Sequence, residues 1–374
     1  MKIVIINWRS IHDPLEGGAE RATFEFAKRW VADYGSDVIW ISPRYENSPD
    51  QEVVDGVRFV YLGRPLNRKL SSLLVSFPLF YISVVIYYLK SLKGKIDVVI
   101  DQVHGLPYMT PLYVSEKKII YIHEVAGSIW NIMYPIPIST IGRILERIFF
   151  LPYKLKNIKF IANSPSTFND LISKLFINQK NICVVPYGVT APSNESVSEK
   201  NKKFTVVFLN RVVKMKGIER GLKAFQKVVN QIPDAELHVI GRGEQSYIDY
   251  LKIMCKELKI ENNVMFLGFI DGEEKFKLLS SAHVLMNPSH LEGWGLVNIE
   301  ANRMGTPVVA FRVRGCVDSV VDNISGFLCD DDDIDSMSDN IIKAGNDVQL
   351  RKSAISYSNK FDWDLQAQSF FSEL

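Results

Sequence analysis

Short apolar strands alternate with helical segments in both halves of this 374-residue chain, which constrains the fold more than any other feature. A strand at 2–7 precedes a helix at 19–34 and a strand at 37–42, and the second half restarts with a strand at 204–209. Because strand–helix–strand order produces parallel sheets covered by helices, we predict an α/β protein. The length exceeds that of one ordinary hydrophobic core and predicts two domains.

Charge and cysteine usage exclude several classes of protein. A formal net charge of +2 argues against a nucleic-acid-binding protein driven by bulk charge. The cysteines are scattered and form no C-x-x-C pair, which indicates reduced thiols in a cytosol and not a disulfide framework or a zinc site. The sequence begins directly with a strand and shows no signal peptide, so we expect a cytoplasmic protein.

The stretch 289–310 has the most chemically specific pattern, SHLEGWGLVNIEANRMGTPVVA. Glu292 and Glu300 are separated by seven residues, and a helix is predicted to begin between them at Gly295 and Leu296. Free N–H groups at a helix start bind anions, and a glycine loop lets a ligand approach the backbone. One carboxylate on either side of an anion site suits a sugar nucleotide, whose hydroxyls flank its phosphates. The alternative is that both glutamates only stabilise the helix dipole.

This stretch resembles the glutamate-x7-glutamate motif of the family-4 retaining glycosyltransferases, and further motifs extend the resemblance over nearly the whole chain. The resemblance implies the GT-B fold, in which two doubly wound Rossmann-like domains face each other across a cleft. We therefore expect an N-terminal acceptor-binding domain over 1–190 and a nucleotide-sugar-binding domain over 204–358. A polar linker at 191–203 would separate them, and a C-terminal helix within 359–374 would cross back to the first domain.

The resemblance also assigns residues of the second half to the donor. Arg211 and Lys216 match the arginine and lysine that hold the donor diphosphate, although a solvated basic loop is the alternative. Asn210 stands where the family usually has glycine. Glu300 would accept from the ribose hydroxyls, and Glu292 would accept from hydroxyls of the donor sugar and favour positive charge at the anomeric carbon.

Two further segments of the second half are assigned to the donor site. Phe269 and Ile270 follow a strand at 264–267 and resemble the segment that contacts the base in this family. Gly241 follows a strand at 236–240 and is also placed in the donor site. Gly241 and Gly243 are spaced like the start of a dinucleotide-binding fingerprint, but Ser246 occupies the place of its third glycine.

The first half contributes a glycine pair and a histidine. Gly17 and Gly18 lie in the loop after the first strand, where ligands bind to parallel sheets, and resemble a glycine pair of the family. We assign them to an acceptor or phosphate loop, with a plain helix start as the alternative. His123 follows a strand at 118–122, where the family has a histidine that reaches the donor sugar; a purely structural histidine is the alternative. Tyr187 stands where the family usually has asparagine.

Residues 70–89 have no charged side chain and are long enough to span a bilayer. A strand at 97–100 follows directly, and a spanning helix would divide its sheet across the membrane. We therefore favour a buried helix kinked at Pro78. The alternative is docking on anionic lipid through the basic residues on both sides of the segment, so peripheral membrane contact is the most that we expect.

These features predict a metal-independent, retaining hexosyltransferase. It would move a hexose-type sugar from a nucleoside-diphosphate sugar, its co-substrate, to a sugar, glycan or lipid-linked acceptor in glycan, glycolipid or polysaccharide biosynthesis. No other cofactor is expected, because the acidic run 330–333 and the pair Asp362/Asp364 are typical of a solvated loop and a helix start. The alternatives are an inactive sugar-nucleotide-binding module and an NAD-dependent Rossmann oxidoreductase.

Overall fold

The computed structural model describes residues 1–14, 16–65, 70–127, 130, 135–190 and 199–374. The chain divides into two compact units. Unit 1 is Met1–Gly188 with Trp363–Leu374, and unit 2 is Val189–Asp362. The polar linker expected at 191–203 falls largely on 191–198, which lie outside the described residues.

Unit 1 contains an eight-stranded sheet with the order β3-β4-β2-β1-β5-β6-β7-β8. The β3–β4 pair is antiparallel and the other neighbouring pairs are parallel. Its central strands are buried on both faces, which is why they read as continuous apolar runs. The strands are β1 (Lys2–Ile6), β2 (Asp37–Pro43), β3 (Gln51–Val54), β4 (Val57–Leu62), β5 (Val98–His104), β6 (Lys117–Glu124), β7 (Lys159–Ala162) and β8 (Ile182–Val184).

The helices that cover this sheet connect its strands. In the described part of the first 188 residues they are α1 (Gly18–Tyr34), α2 (Leu70–Tyr87), α3 (Ile138–Leu155) and α4 (Pro165–Leu175). Ser164 caps α4, because its hydroxyl accepts from the Thr167 N–H at 3.1 Å. The strand predicted at 97–100 was too short: β5 continues to His104, and the side chains of Asp101 and Gln102 are buried.

Helix α2 differs from the buried helix that we favoured. Its inner side packs Phe80 and Val84 into the core of unit 1, and a π-helical turn at Tyr88–Leu92 continues it toward β5. Within the described residues, Val75–Leu92 is one stretch whose length and composition would suffice to cross a membrane, and 28% of it is buried. The helix is therefore buried on one face only.

The hairpin formed by β3 and β4 was missed by the sequence analysis. Its turn is Asp55-Gly56, and both residues have positive φ angles, 47° and 79°. An Asp-Gly pair between alternating apolar residues is a strong signal for a two-residue hairpin turn. The dipeptide would have revealed these strands had it been weighed with the flanking pattern.

Unit 2 contains a six-stranded sheet whose neighbouring strands are all parallel, in the order β11-β10-β9-β12-β13-β14. The strands are β9 (Thr205–Leu209), β10 (Glu236–Ile240), β11 (Val264–Gly268), β12 (Val284–Asn287), β13 (Val308–Phe311) and β14 (Gly326–Cys329). The helices described in this unit are α5 (Ile218–Gln231), α6 (Gln245–Glu257), α7 (Gly272–Ser281), α8 (Leu296–Arg303), α9 (Cys316–Ser319), α10 (Ile334–Asn346) and α11 (Val348–Ser358).

The last helix, α12 (Trp363–Phe371), belongs to unit 1 and packs on α1. The indole N–H of Trp30 donates to the Ala367 carbonyl at 3.2 Å. The rings of Phe26 and Phe370 meet edge to face, with centroids 5.4 Å apart. These buried aromatic contacts fix the chain terminus against the first helix.

Candidate functional site

The predicted donor-site residues of unit 2 follow the carboxyl ends of neighbouring parallel strands. Such ends meet at one edge of a sheet. The chain leaves β9 toward β10 and returns from β11 to β12 on the opposite side of β9, so β9 and β12 form the topological switch point where ligands bind in such sheets. The residues at this edge are Arg211 after β9, Gly241 after β10, Phe269 and Ile270 after β11, and Glu292 after β12.

The carboxylate of Glu292 is buried and accepts three hydrogen bonds. Lys216 Nζ lies 2.7 Å from it, Ser289 Oγ 2.7 Å and Asn210 Nδ2 3.1 Å. Burial by itself raises the pKa of Glu292, but the Lys216 ammonium and the other donors outweigh it and hold the pKa below its ordinary value. The group is therefore an anion at neutral pH. Since a carboxylate offers about four acceptor positions, it can still accept from a ligand.

A tight backbone contact positions Lys216 beside Glu292. Lys216 ends a 3-10 turn at Lys214–Lys216, and Gly217 follows it with a φ of 66°. A Cβ atom at Gly217 would lie only 1.9 Å from the carbonyl oxygen of Pro288. The turn after β9 can therefore touch the loop after β12 only with glycine at this position.

Arg220 on α5 anchors the loop that follows β12. Its guanidinium donates to the carbonyl oxygens of Pro288 at 2.6 Å and Ser289 at 2.5 Å, and forms an ion pair with Asp331 at 2.7 Å. It also lies 4.1 Å from the centroid of the Phe311 ring. The sequence analysis did not identify Arg220, because no local pattern distinguishes a buried arginine from a solvated one.

The helix start predicted at Gly295 and Leu296 is present, and its use as an anion site stays a prediction. Gly295 is the N-cap with a φ of 81°, and Leu296 is the first helical residue. Beneath this end, Asn298 accepts from Asn287 Nδ2 at 2.9 Å and donates to Ser319 Oγ at 2.9 Å. The helix start is thus anchored to two neighbouring elements, and its N-terminal dipole favours a negatively charged ligand.

Glu300 lies in the second turn of α8 and is buried. Its carboxylate accepts from Lys275 Nζ at 2.8 Å, and Lys275 belongs to α7. The sequence analysis missed Lys275. Each of the two glutamates of the motif therefore pairs with a lysine from another element, which a helix-dipole role alone does not require.

The segment after β11 presents an aromatic surface. Phe269 is 48% exposed, and the Arg242 guanidinium lies 4.1 Å from the centroid of its ring. Ile270 is partly buried against the core of unit 2. The Gly241 N–H donates to the Gly268 carbonyl at 2.7 Å, which joins the two loops. A flat, exposed ring of this kind can stack on a nucleobase.

Gly17 and Gly18 form the beginning of α1. Gly17 is the N-cap in extended backbone, and its N–H donates to the Glu20 carboxylate at 2.8 Å. This contact is one half of a capping box, because glycine has no side chain to accept from the N3 backbone N–H in return. Their geometry is that of a helix start, and their assignment to an acceptor or phosphate loop stays a prediction.

His123 lies near the end of β6 in unit 1 and is buried. Its Nε2 is 2.8 Å from Gln102 Nε2, and its Nδ1 forms a hydrogen bond with the Tyr187 hydroxyl. That hydroxyl also accepts from Asn163 Nδ2 at 3.2 Å. A ligand would have to replace one of these partners, so contact between His123 and a sugar stays a prediction.

The acidic segments have the contacts of a loop and of a helix start. Asp333 caps α10 by accepting from the Ser336 N–H at 3.0 Å, and Asp331 pairs with Arg220 as described. Asp364 pairs with Arg29 at 2.6 Å in the first turn of α12. In the part of the chain that the structure describes, no three His, Cys, Asp or Glu side chains are grouped to hold a metal ion.

Two family models match the chain over adjoining segments. The model described as Glycosyltransferase Family 4 matches residues 16–191, and the model described as Glycosyl transferases group 1 matches residues 191–361. The second match contains all the predicted donor-site residues of unit 2, among them Arg211, Lys216, Glu292 and Glu300.

Known proteins that resemble this chain in sequence or in structure include glycosyltransferases. The D-inositol 3-phosphate glycosyltransferase of Corynebacterium diphtheriae is 27% identical over 228 residues, which are 56% of this chain and 53% of the relative. The chain spans about half or less of the length of the first curated relatives that it matches. Among solved structures, sucrose-phosphate synthase from Thermosynechococcus elongatus has a TM-score of 0.82 at 20% identity, covering 99% of this chain and 97% of that chain. Anabaena HepE in complex with UDP-glucose has a TM-score of 0.73 at 18% identity, covering both chains fully.

Proposed function

Because this chain belongs to the family-4 glycosyltransferases and has the GT-B fold, we propose that it transfers a hexose-type sugar with retention from a nucleoside-diphosphate sugar to an acceptor hydroxyl. The observation that carries the proposal is the buried Glu292–Lys216 pair at the β9/β12 switch point, next to the start of α8. This arrangement combines a fixed carboxylate, a fixed cation and a helix N-terminus at one strand edge.

The proposed chemistry requires stabilisation of opposite charges. Departure of the nucleoside diphosphate leaves negative charge on its phosphates, which Arg211, Lys216 and the α8 N-terminus would stabilise. The anomeric carbon becomes positive at the same time, and the Glu292 carboxylate would stabilise it through the sugar hydroxyls. In the proposed route the acceptor attacks from the face that the diphosphate leaves, and a diphosphate oxygen takes the proton of the acceptor hydroxyl.

Recognition of the nucleoside would use the other residues at this edge. The base would stack on Phe269, and the Glu300 carboxylate would accept from the ribose hydroxyls. The complex of Anabaena HepE with UDP-glucose supports a nucleotide sugar as the donor. The acceptor would be a sugar, glycan or lipid-linked hydroxyl in glycan biosynthesis, reached from the cytoplasm, with peripheral contact at the inner membrane surface.

We expect transfer to proceed without a divalent metal ion. The cations Arg211 and Lys216 and the α8 start would supply the positive charge that a metal supplies elsewhere. Assays of sugar transfer in excess EDTA would test this, and activity should stay within about twofold of the untreated enzyme. Complete loss of transfer that manganese or magnesium restores would contradict the proposed phosphate site.

We expect Glu300→Gln to weaken binding of both the donor and free nucleoside diphosphate about tenfold, with little change in kcat. Glu300 would contact the nucleoside, which is bound alike before and after transfer, so its loss removes uniform binding. Titration calorimetry with UDP and with GDP, followed by steady-state kinetics, would measure both effects. Glu274→Gln, which replaces an exposed glutamate on α7, is the matched control and should bind like wild type.

A further inference from the structure

Helix α3 exposes an apolar face on the side opposite its core contacts. Its buried side consists of Ser139, Gly142, Glu146, Phe150 and Tyr153. The apolar side chains of the opposite side recur at helical spacing and are 38% to 70% exposed: Ile141, Ile144, Leu145, Ile148, Leu151 and Leu155. A soluble helix normally carries polar residues on its outward face, so this face requires an explanation.

Helix α2 and its π-helical turn expose a second apolar stripe. Its members are 37% to 54% exposed and spaced by four, three, four and three residues: Val75, Leu79, Ile82, Ile86 and Leu89. Both helices cover the same face of the unit 1 sheet. Val99 belongs to the core cluster that contains the inner side of α2, and Val103 belongs to the cluster that contains the inner side of α3. These two valines are four residues apart on β5, so their side chains lie on the same face. Both stripes therefore point away from the sheet in the same general direction.

The segment 108–113 lies between the two helices. The ring of Tyr108 meets that of Phe80 on α2, with centroids 5.7 Å apart, and the Thr110 N–H donates to the Tyr153 hydroxyl on α3 at 3.0 Å. Leu112 of this segment is 59% exposed. We call Leu112 and the two stripes together the outer face of unit 1.

Basic side chains border the outer face. Arg143 and Arg147 are exposed along one flank of α3 and, with Lys174 and Glu146, line a cleft of about 180 Å³. The Glu146 carboxylate is buried and accepts from the N–H groups of Ala126 at 2.8 Å and Gly127 at 2.9 Å. The exposed charge on this helix is therefore positive. At the other helix, Lys90, Lys93 and Lys95 are exposed, and the sequence has no acidic residue from 70 to 96.

We propose that the outer face docks unit 1 on an anionic lipid bilayer, with α2 and α3 lying in the interfacial plane. The aliphatic side chains would enter the boundary between headgroups and acyl chains, and the bordering arginines and lysines would contact lipid phosphates. The proposal deepens the peripheral membrane contact of the proposed function by naming its surface, and it is independent of the transfer chemistry.

The composition of the outer face favours lipid over a protein partner. Protein interfaces are enriched in aromatic residues and methionine and need directional hydrogen bonds, whereas both stripes are purely aliphatic. An interface between two copies through this face would bring the basic flanks of both into one contact area, where α3 offers no exposed carboxylate to pair with them, since Glu146 is buried. Like charges at such an interface are unfavourable, whereas anionic headgroups neutralise them.

The apolar contribution can be tested with vesicles of phosphatidylcholine containing about one third phosphatidylglycerol. Co-sedimentation of the full chain should show binding, and Ile144→Glu/Ile148→Glu should lower the partition coefficient more than tenfold, because charged side chains replace inserted apolar ones. The matched control is Ile253→Glu/Val348→Glu, which changes two equally exposed apolar residues of unit 2 and should bind like wild type. Circular dichroism should show unchanged folding in both variants.

The charge contribution needs a separate pair of variants. Arg143→Gln/Arg147→Gln should weaken binding to the anionic vesicles by about fivefold per residue and leave the weaker binding to pure phosphatidylcholine vesicles unchanged. Lys252→Gln/Lys256→Gln, at exposed positions of α6, should have no effect. If the arginine variant and the lysine variant lose vesicle affinity equally, Arg143 and Arg147 do not contact the lipid phosphates.

Two results would overturn lipid docking itself. One is failure of the wild-type chain to bind anionic vesicles. The other is a concentration-dependent dimer in sedimentation velocity that Ile144→Glu/Ile148→Glu abolishes, which would make the outer face an interface between copies. Titration with UDP separates this test from that of the proposed function. The outer-face variants should retain wild-type nucleotide affinity. A chain that binds vesicles but no nucleotide would contradict only the proposed function.

Discussion

Glu292→Gln is expected to lower kcat about tenfold to hundredfold while free nucleoside diphosphate binds nearly as tightly as to wild type. Glu292 would contact the donor sugar, where charge changes during the reaction, so the loss falls mainly on the transition state. Glutamine keeps the size of the side chain but has a single oxygen, so it can accept from Lys216 or from Ser289 but not from both, because these donors approach different carboxylate oxygens at 2.7 Å each. Steady-state kinetics with the sugar nucleotide and calorimetry with the diphosphate would measure the two quantities.

Comparison with Glu300→Gln makes the Glu292 experiment decisive. If Glu292→Gln loses nucleotide binding and Glu300→Gln loses only turnover, the site is correct and the two roles are reversed. If both variants behave like wild type in both measurements, the glutamates serve the helix dipole and the catalytic site lies elsewhere. Circular dichroism on each variant would first establish that it folds.

Lys216→Met is expected to lower the free energy of unfolding by about 3 kcal/mol at neutral pH, because it leaves the buried Glu292 carboxylate without its ammonium partner. Methionine approximates the length and volume of the lysine stem, so the loss of packing is small. Urea unfolding would measure the change. Lys214→Met, at an exposed position of the same 3-10 turn, is the matched control and should be nearly neutral.

The stability difference between Lys216→Met and wild type should depend on pH. In wild type the pKa of Glu292 is lowered, so its stabilising contribution is complete above the ordinary value of 4.5 and is lost as pH falls further. Without Lys216, burial is the largest remaining influence and acts to raise that pKa, so we expect the variant to lose stability as pH rises above 4.5. Unfolding at pH 5 and pH 7.5 should therefore show the larger difference at pH 7.5. An equal difference at both pH values would contradict a raised pKa of Glu292 in the variant, and with it the expected balance between burial and the Lys216 ammonium.

Local patterns predicted most of the fold. The strand–helix alternation identified the parallel pairing that dominates both sheets, and the helix beginning at Gly295 and Leu296 lies where it was predicted. Two local errors occurred: the β3–β4 hairpin was missed, and β5 was predicted too short. The prediction ended β5 at residue 100, yet the Asp101 carboxylate is buried within that strand and accepts from Thr110 Oγ1 at 2.9 Å. That polar network depends on tertiary contacts and leaves no local signal.

The donor site of unit 2 was predicted less completely than the fold. The family resemblance assigned Arg211 and Phe269 to the donor site, and Gly241 was placed there as the residue after a strand. All three follow parallel strands that end at one edge of the sheet. The pairing of Lys216 with Glu292 joins residues 76 positions apart, and sequence gives no distance between such side chains. Docking of segment 70–89 on lipid was one of the alternatives, but the α3 part of the outer face was missed, because α3 has apolar residues on two sides and periodicity alone cannot say which side packs inward.

A thermal-shift screen of nucleotide sugars tests the central claim most directly, because a specific ligand raises the apparent stability of the fold by mass action. The proposed function predicts that at least one nucleoside-diphosphate sugar raises the Tm of the wild-type protein, that NAD does not, and that Glu300→Gln reduces the shift. A rise in Tm with NAD and with no sugar nucleotide would contradict the proposed donor site and support a nicotinamide-dependent oxidoreductase instead.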